Sequence, residues 1–272
     1  MAELLFTGPS ERGWSRLGTF LQCPQKYAWS YKLEKRSKEH SQALIRGSLM
    51  HVALAHHYAR RKEEVNGGNP DLFYKPETAV KIAAAEEGEV WKQHVDLILS
   101  VLSAYKIKYP CDPWIVTHVE KEAELDVGGN RITGRFDLVI EDTQGKVYIV
   151  DHKTTARLHK RQRTYYSISG QILAYKWMGR TIWGDRFGGM LLNQIQHGGG
   201  DPKKIKFARH VVEPAPNLER MLPVTVMDAE EAIKRLEDSG RDPRWWPRAT
   251  HELVCFHRYG ACEYLELCKY GE

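Results

Sequence analysis

Val147-Tyr148-Ile149-Val150-Asp151-His152-Lys153 runs four apolar residues straight into three polar ones. The apolar part is β-branched and aromatic, enough for a central strand, and charge at the end of such a strand is best explained by a site. Side chains at i and i+2 share a face, so Asp151 and Lys153 point the same way, about 6.6 Å apart along the strand. Upstream, residues 114–125 and 131–141 read as two further strands. Gly128-Gly129-Asn130 turns the first hairpin and residues 142–145 the second. Glu120 falls on the first strand, and Asp137 on the second, in Gly134-Arg135-Phe136-Asp137. Carboxylates converging on one point repel unless a cation lies between them, and hard oxygen donors suit Mg²⁺ or Mn²⁺. A lysine beside them can orient water or offset charge on a phosphate. By spacing alone, the same residues also fit solvent-facing acids and a surface salt bridge.

Outward from this centre the pattern is helical. Ser15 is placed to cap a first helix containing Leu17, Phe20, Leu21, Tyr27 and Tyr31, with Pro24 marking a break or a second short helix. A helix is expected over 46–62, where Leu49, Val52, Ala53, His56 and Ala59 recur at helical spacing. Asn66-Gly67-Gly68-Asn69-Pro70 is a turn, and a long helix is expected over 83–107. Downstream come a helix over 165–180, a strand over 186–195, an open turn at Gly198-Gly199-Gly200-Asp201-Pro202 and a strand over 204–213. Asp228 can cap a last helix ending near 238. Helices, a meander of strands, a helix and a hairpin make an α+β order. One domain over 1–272 is expected, with a helical region at 12–110, a sheet core at 114–213 and a cysteine-bearing tail at 226–272.

Composition narrows the function classes. The 272 residues are 42% hydrophobic and 28% charged, which excludes a disordered or fibrous chain. Forty basic against 35 acidic side chains leave +5, compatible with a nucleic-acid partner without demanding one. No apolar run approaches membrane-spanning length, and the first residues lack a signal peptide's basic start and apolar core. A cytoplasmic address is therefore expected, where the five cysteines would not pair as disulfides.

In this order the motifs resemble the PD-(D/E)XK nuclease superfamily, specifically its RecB-like branch, which includes CRISPR-associated and phage exonucleases. Asp137 with Asp151-His152-Lys153-Thr154-Thr155 is similar to the catalytic signature. Gly47-Ser48-Leu49-Met50-His51 is similar to an upstream helix whose histidine ligates the metal, and Glu120 matches the acidic residue of the first strand. Gln171-Ile172-Leu173-Ala174-Tyr175 is similar to a helix that contacts substrate near the scissile phosphate. The resemblance implies a restriction-endonuclease-like core, a central mixed sheet flanked by helices. It also implies a catalytic set of Glu120, Asp137, Asp151 and Lys153. His51, Glu120, Asp137 and Asp151 would hold Mg²⁺ or Mn²⁺. Phe136 stands where the family's name has proline. Without the resemblance, His51 would read as a structural or surface histidine and Tyr175 as a core aromatic.

Cys255, Cys262 and Cys268 cluster near the end of the sequence, and Cys23 stands far upstream. Four sulfurs fit zinc or an iron–sulfur cluster. The resemblance favours a 4Fe-4S staple, because RecB-like nucleases with one place a single cysteine before the core and three after it. Ser15-Arg16-Leu17 with Cys23-Pro24-Gln25-Lys26-Tyr27 is similar to their N-terminal element, although six residues separate Cys255 from Cys262 where many members have two. Cys111 lies outside the pattern and reads as a buried or spare thiol.

Arg157, Lys160, Arg161 and Arg163 form a basic run between the charged strand and the Gln171–Tyr175 helix. Such a run is ordinarily a solvated loop; here it offers a track for a phosphate backbone, joining Gln171 and Tyr175 as substrate-binding candidates. The expected reaction is metal-dependent hydrolysis of DNA phosphodiesters, exonucleolytic and at single-stranded or free ends, in recombination, repair or phage DNA processing. A CRISPR adaptation nuclease trimming integration precursors, or a DNA-binding scaffold subunit, are the alternatives. No Gly-x-x-x-x-Gly-Lys-Ser/Thr loop occurs, so unwinding would require a helicase, recombinase or CRISPR-adaptation partner.

Overall fold

The structure, a computed structural model, describes residues 2–35, 41–159, 161–257 and 260–271. The first helices are α1 (Trp14–Gln22), α2 (Pro24–Tyr27), α3 (Gln42–Asn66), α4 (Pro76–Glu87), α5 (Glu89–Lys92) and α6 (Val95–Lys108). Strands β1 (Ile115–Val127), β2 (Asn130–Glu141) and β3 (Val147–Thr155) follow, then α7 (Gln162–Ser167) and α8 (Gly170–Trp183). Next come β4 (Phe187–Gln196), β5 (Lys206–Val211) and α9 (Pro216–Asp238). The tail holds α10 (Glu252–Cys255), a short hairpin of β6 (Phe256–His257) and β7 (Gly260–Ala261), and α11 (Leu265–Tyr270).

One sheet runs in the order β1-β2-β3-β4-β5. β2 and β3 are antiparallel, β3 and β4 parallel, and β4 and β5 antiparallel. The parallel pair β3–β4 needs a crossover, which α7 and α8 supply. Strand β3 is buried from Ile149 through His152, as a central strand covered on both faces must be. The result is the expected α+β, restriction-endonuclease-like core, a mixed sheet flanked by helices.

Contacts divide the chain into two compact units. The first comprises Met1–Pro9, Ser41–Ala123 and Gly134–Glu219. Its core joins Ile45, Leu49, Met50, Leu54 and Tyr58 of α3 to Ile98, Leu102 and Tyr105 of α6, and both to Leu138, Ile140, Val150 and Ile195 of the sheet. The expected helix over 83–107 is interrupted because Gly88 takes φ 103°, a conformation that ends α4. The expected helix over 165–180 is likewise divided, since Ser169 is extended and stands as the cap of α8.

The second unit comprises Ser10–His40, Glu124–Thr133 and Arg220–Glu272. Helix α9 begins with a proline at its first position, far ahead of Asp228, which lies inside the helix rather than capping it. Within this unit α9 buries Leu222, Val226, Ala229 and Ile233, one helical face, while α1 buries Leu17 and Phe20. Leu21 and Tyr31, expected as apolar content of the first helix, are exposed. Buried Arg16 donates to Tyr27 Oη at 2.9 Å and pairs with the buried Glu230. Among the described residues, no helix is long and apolar enough to cross a membrane.

Truncating Glu230 to alanine strands the buried Arg16 charge. The expected loss is about 3–5 kcal/mol in a urea titration; a loss below about 1 kcal/mol would mean that water reaches the pair.

Candidate functional site

The antiparallel register pairs Leu138 with Val150. Asp137 and Asp151 lie just beyond that pair on the two neighbouring strands, close enough that the charge of Asp137 bears on Asp151. Asp151 is buried, at 1% exposure. Lys153 lies two residues on, and its Nζ is 3.0 Å from Asp151 Oδ1 and 2.9 Å from Oδ2. The second approach is too poorly aligned for a hydrogen bond, and Oδ2 is a buried acceptor without a donor. Lys153 also donates to Gln171 Oε1 at 3.1 Å, which ties β3 to α8.

Glu120 reaches the same place by a distortion. Its φ is 48°, a left-handed conformation inside a strand, at a cost of about 1–3 kcal/mol for a side chain with a Cβ. The carboxylate of Glu120, that of Asp137 and the imidazole of His51 each present a donor atom, all within 4.8 Å of one another. Asp151 stands beside this trio but is not one of it. His51 comes from α3, and the peptide of His152 locks it in place. His51 Nε2 donates to the His152 carbonyl at 2.9 Å, and the His152 amide donates to Asp137 Oδ2 at 2.7 Å. The other ring nitrogen, Nδ1, faces Asp137 Oδ1 at 3.5 Å.

The charges here are strongly biased. Burial and the neighbouring Asp137 push the Glu120 carboxyl up to about 9. Burial opposes a charged His51, but Asp137 outweighs it and raises the imidazole to about 9. Asp137 keeps its charge: burial works against it, yet His51, by charge and hydrogen bond, holds it well below the usual carboxylate range. Burial raises Asp151 despite Lys153. Lys153 is raised in turn because Asp151 and Asp137 outweigh its desolvation, so it stays protonated. The donors match a divalent cation, one imidazole nitrogen with carboxylate oxygens whose repulsion is otherwise relieved only by protons.

Gln171 and Tyr175 share a face of α8 as expected, but their surroundings differ. Gln171 meets Lys153. Tyr175 is buried, donates to the Arg135 carbonyl at 2.7 Å and packs edge-on against Phe136, so it braces the strand that carries Asp137. Arg157, Arg161 and Arg163 are exposed, whereas Lys160 lies outside the described residues. His56 turns elsewhere, accepting from the Leu5 amide and bonding the Tyr74 carbonyl.

The iron–sulfur cluster expected at Cys23, Cys255, Cys262 and Cys268, and zinc as its alternative, must be corrected. The four thiols line one cavity of about 20 Å³, room for little more than a water. No three of their sulfurs converge within 4.8 Å; among the described residues the group that could hold a metal is His51, Glu120 and Asp137. Chain proximity gathers the three late cysteines without aiming them at one point. Burial also pushes the Cys262 and Cys268 thiols up, toward the neutral form rather than the thiolate that binds metal. Cys23 accepts a hydrogen bond from the Ala249 amide, and Cys111 is exposed.

Sequence reasoning passed over His152, the middle residue of its own key motif. The available signal was a histidine in a strand otherwise apolar up to its charged end.

The sequence matches the PD-(D/E)XK nuclease superfamily over residues 14–269, nearly its whole length. The chain belongs to that superfamily. No curated protein sequence gives a significant match. Among solved structures, a candidate exonuclease from Eubacterium rectale is similar at a TM-score of 0.54 and 15% identity, covering 96% of this chain and 88% of that one. The protein SSO0001 is 16% identical with a TM-score of 0.33, covering 77% of this chain and 84% of that one. The first of these shares the fold; the second is too distant to add to it.

A divalent cation entering the trio must displace the protons that His51 and Glu120 hold below about pH 9. Mn²⁺ affinity is therefore expected to strengthen as pH rises toward 9, by up to about tenfold per unit for each proton released. Calorimetry in two buffers of different ionisation enthalpy counts those protons. Release of none at neutral pH would place the cation elsewhere.

Proposed function

We propose that this protein is a metal-dependent deoxyribonuclease of the RecB-like branch, acting as an exonuclease on single-stranded or free DNA ends. The observation that carries the reading is the convergence of His51, Glu120 and Asp137 beside the Asp151–Lys153 pair. His51, Glu120 and Asp137 would hold Mg²⁺ or Mn²⁺, with Asp151 adjoining. A bound divalent cation acidifies water and offsets phosphate charge.

The protein's own groups do the rest. Lys153 keeps its proton at neutral pH and so donates rather than accepts, which suits it to a non-bridging phosphate oxygen or to the attacking water. Asp151 and Gln171 hold that ammonium from two sides. His51, fixed through Nε2, presents Nδ1 to the trio. The exposed Arg157, Arg161 and Arg163, with Lys160, would meet the DNA backbone as point charges. The exonuclease preference and the RecB-like placement rest on the order of the sequence motifs.

The test is cleavage of end-labelled linear DNA, single- and double-stranded, with Mg²⁺ or Mn²⁺. Asp151→Ala should abolish the products, and Lys153→Ala should lower kcat by about 10²–10³. A ladder from one labelled end gives the polarity. A folded, metal-loaded protein that cleaves neither substrate would instead favour the scaffold reading. Cleavage appearing only with an added helicase, recombinase or CRISPR-adaptation protein would make the chain a partner-dependent subunit.

A second measurement concerns the basic run. Arg161→Ala with Arg163→Ala should reduce the slope of log affinity against log salt by about 0.7 per lost phosphate contact on single strands. An unchanged slope would return these arginines to the status of a solvated loop.

A further inference from the structure

On the face of β3 opposite Asp151 and Lys153, the ring of His152 ends a buried polar chain that begins with an ion pair. Arg209 on β5 forks onto Asp112, Nη1 to Oδ1 at 2.8 Å and Nη2 to Oδ2 at 2.7 Å. Its guanidinium lies between the rings of Tyr109 and Trp114, 3.5 and 3.8 Å from their centres. Nη2 also reaches Tyr58 Oη at 3.0 Å and Tyr105 Oη at 2.7 Å. Tyr58 and Tyr105, from α3 and α6, touch hydroxyl to hydroxyl at 2.6 Å. Tyr105 accepts from Asn193 Nδ2 at 2.9 Å, and the same nitrogen lies 3.0 Å from His152 Nδ1.

The donors in this chain have one consistent order. Arg209 only donates, including through Nε to Asn193 Oδ1 at 3.3 Å, which fixes the orientation of the amide. Tyr58 donates to Asp112 Oδ2 at 2.9 Å, so it accepts from Tyr105. Tyr105, its hydrogen thus directed, accepts from Asn193. Asn193 Nδ2 can then only donate to His152, so Nδ1 of His152 is an acceptor and its proton sits on Nε2. Tyr58 also stacks on the His152 ring, 5.9 Å between centres at 15°. Tyr58, Tyr105 and Asn193 are fully buried, so water does not compete for these bonds.

His152 meets the metal-holding trio through its peptide, which binds His51 and Asp137 at once, and through its ring, edge-on to that of His51 with 6.1 Å between centres. We propose that Arg209 and Asp112, through Tyr58, Tyr105 and Asn193, are positioning residues for the His51–Glu120–Asp137 group, acting on it by fixing the ring and therefore the peptide of His152. The inference rests on the reading of that trio as a metal site. It adds a layer of residues behind the ligands, supplied by α3, α6, β4, β5 and the segment after α6, with no contact to substrate required.

Two variants test it in the full-length protein. Tyr105→Phe removes one hydroxyl from the middle of the path, and Asn193→Leu removes the donor to His152 while keeping the branched arrangement of heavy atoms. Ring ¹⁵N spectra of labelled histidines should show His152 as the Nε2–H form in the wild type. In both variants, changed His152 and His51 signals are expected, with Mn²⁺ affinity by calorimetry about tenfold weaker. Excess Mn²⁺ should restore the Tyr105→Phe cleavage rate, with KM for DNA unchanged. If Asn193→Leu does not fold, Tyr105→Phe decides alone. Unchanged His51 and His152 signals with Mn²⁺ affinity within twofold of wild type would overturn the proposal. A wild type that binds Mn²⁺ but cleaves no DNA would defeat the nuclease reading and leave this one standing, and if it binds no Mn²⁺ the ring signals still decide.

Discussion

Asp137 and Asp151 lie close together on the neighbouring strands β2 and β3, where burial raises the cost of every negative charge. Glu120 adds a third carboxyl, brought in by a left-handed residue in β1. Three buried acids in so small a volume cannot all ionise. Asp137 keeps its charge beside His51, while burial pushes Glu120 and Asp151 toward their neutral forms. Such an arrangement destabilises the fold unless cations answer it, and Lys153 beside Asp151 and a protonated His51 beside Asp137 do so. A divalent cation is the natural addition, because it replaces protons with a charge the oxygens can share.

The cost of holding these groups together is spread over both faces of β3. On one face Gln171 holds Lys153, while Tyr175 grips the backbone next to Asp137 through the Arg135 carbonyl. On the other, His152 is stacked on Tyr58 and bonded to Asn193. Alternation along the strand makes this division unavoidable: consecutive side chains point to opposite faces, so a motif with function on its outer residues has its middle residue available for support. Helix α3 serves both needs, since His51 and Tyr58 are seven residues apart, about two turns along one side.

Much of the fold was readable because its signals are local. β-branched runs separated by glycine-rich turns located β1 to β4 to within a few residues, and the helical spacing of Leu49, Val52, Ala53, His56 and Ala59 marked a face that is buried. The misjudged elements have equally local reasons. Gly88 interrupts what periodicity alone joins into one helix, and Asp228 is an acceptable cap that competes with a better start at Pro216. The cysteines show the limit of spacing arguments. The fold brought Cys23 to the cavity that the three late cysteines line, yet ligation depends on convergence within a few ångströms, which spacing does not encode.

The sequence by itself determined the strand that ends in Asp151 and Lys153, the acid on the preceding strand, the helix carrying Gln171 and Tyr175 on one face, and the α+β order that joins them. Those follow from side-chain period and backbone preference, which act over a few residues. Only the tertiary structure decided that Glu120 and His51 close on Asp137 while Asp151 stands with Lys153, that Tyr175 is buried against β2, and that Arg209 is linked through buried hydroxyls to His152. Each of these joins residues from separate elements, in contacts whose energy depends on distance, burial and hydrogen-bond direction rather than on neighbours in sequence.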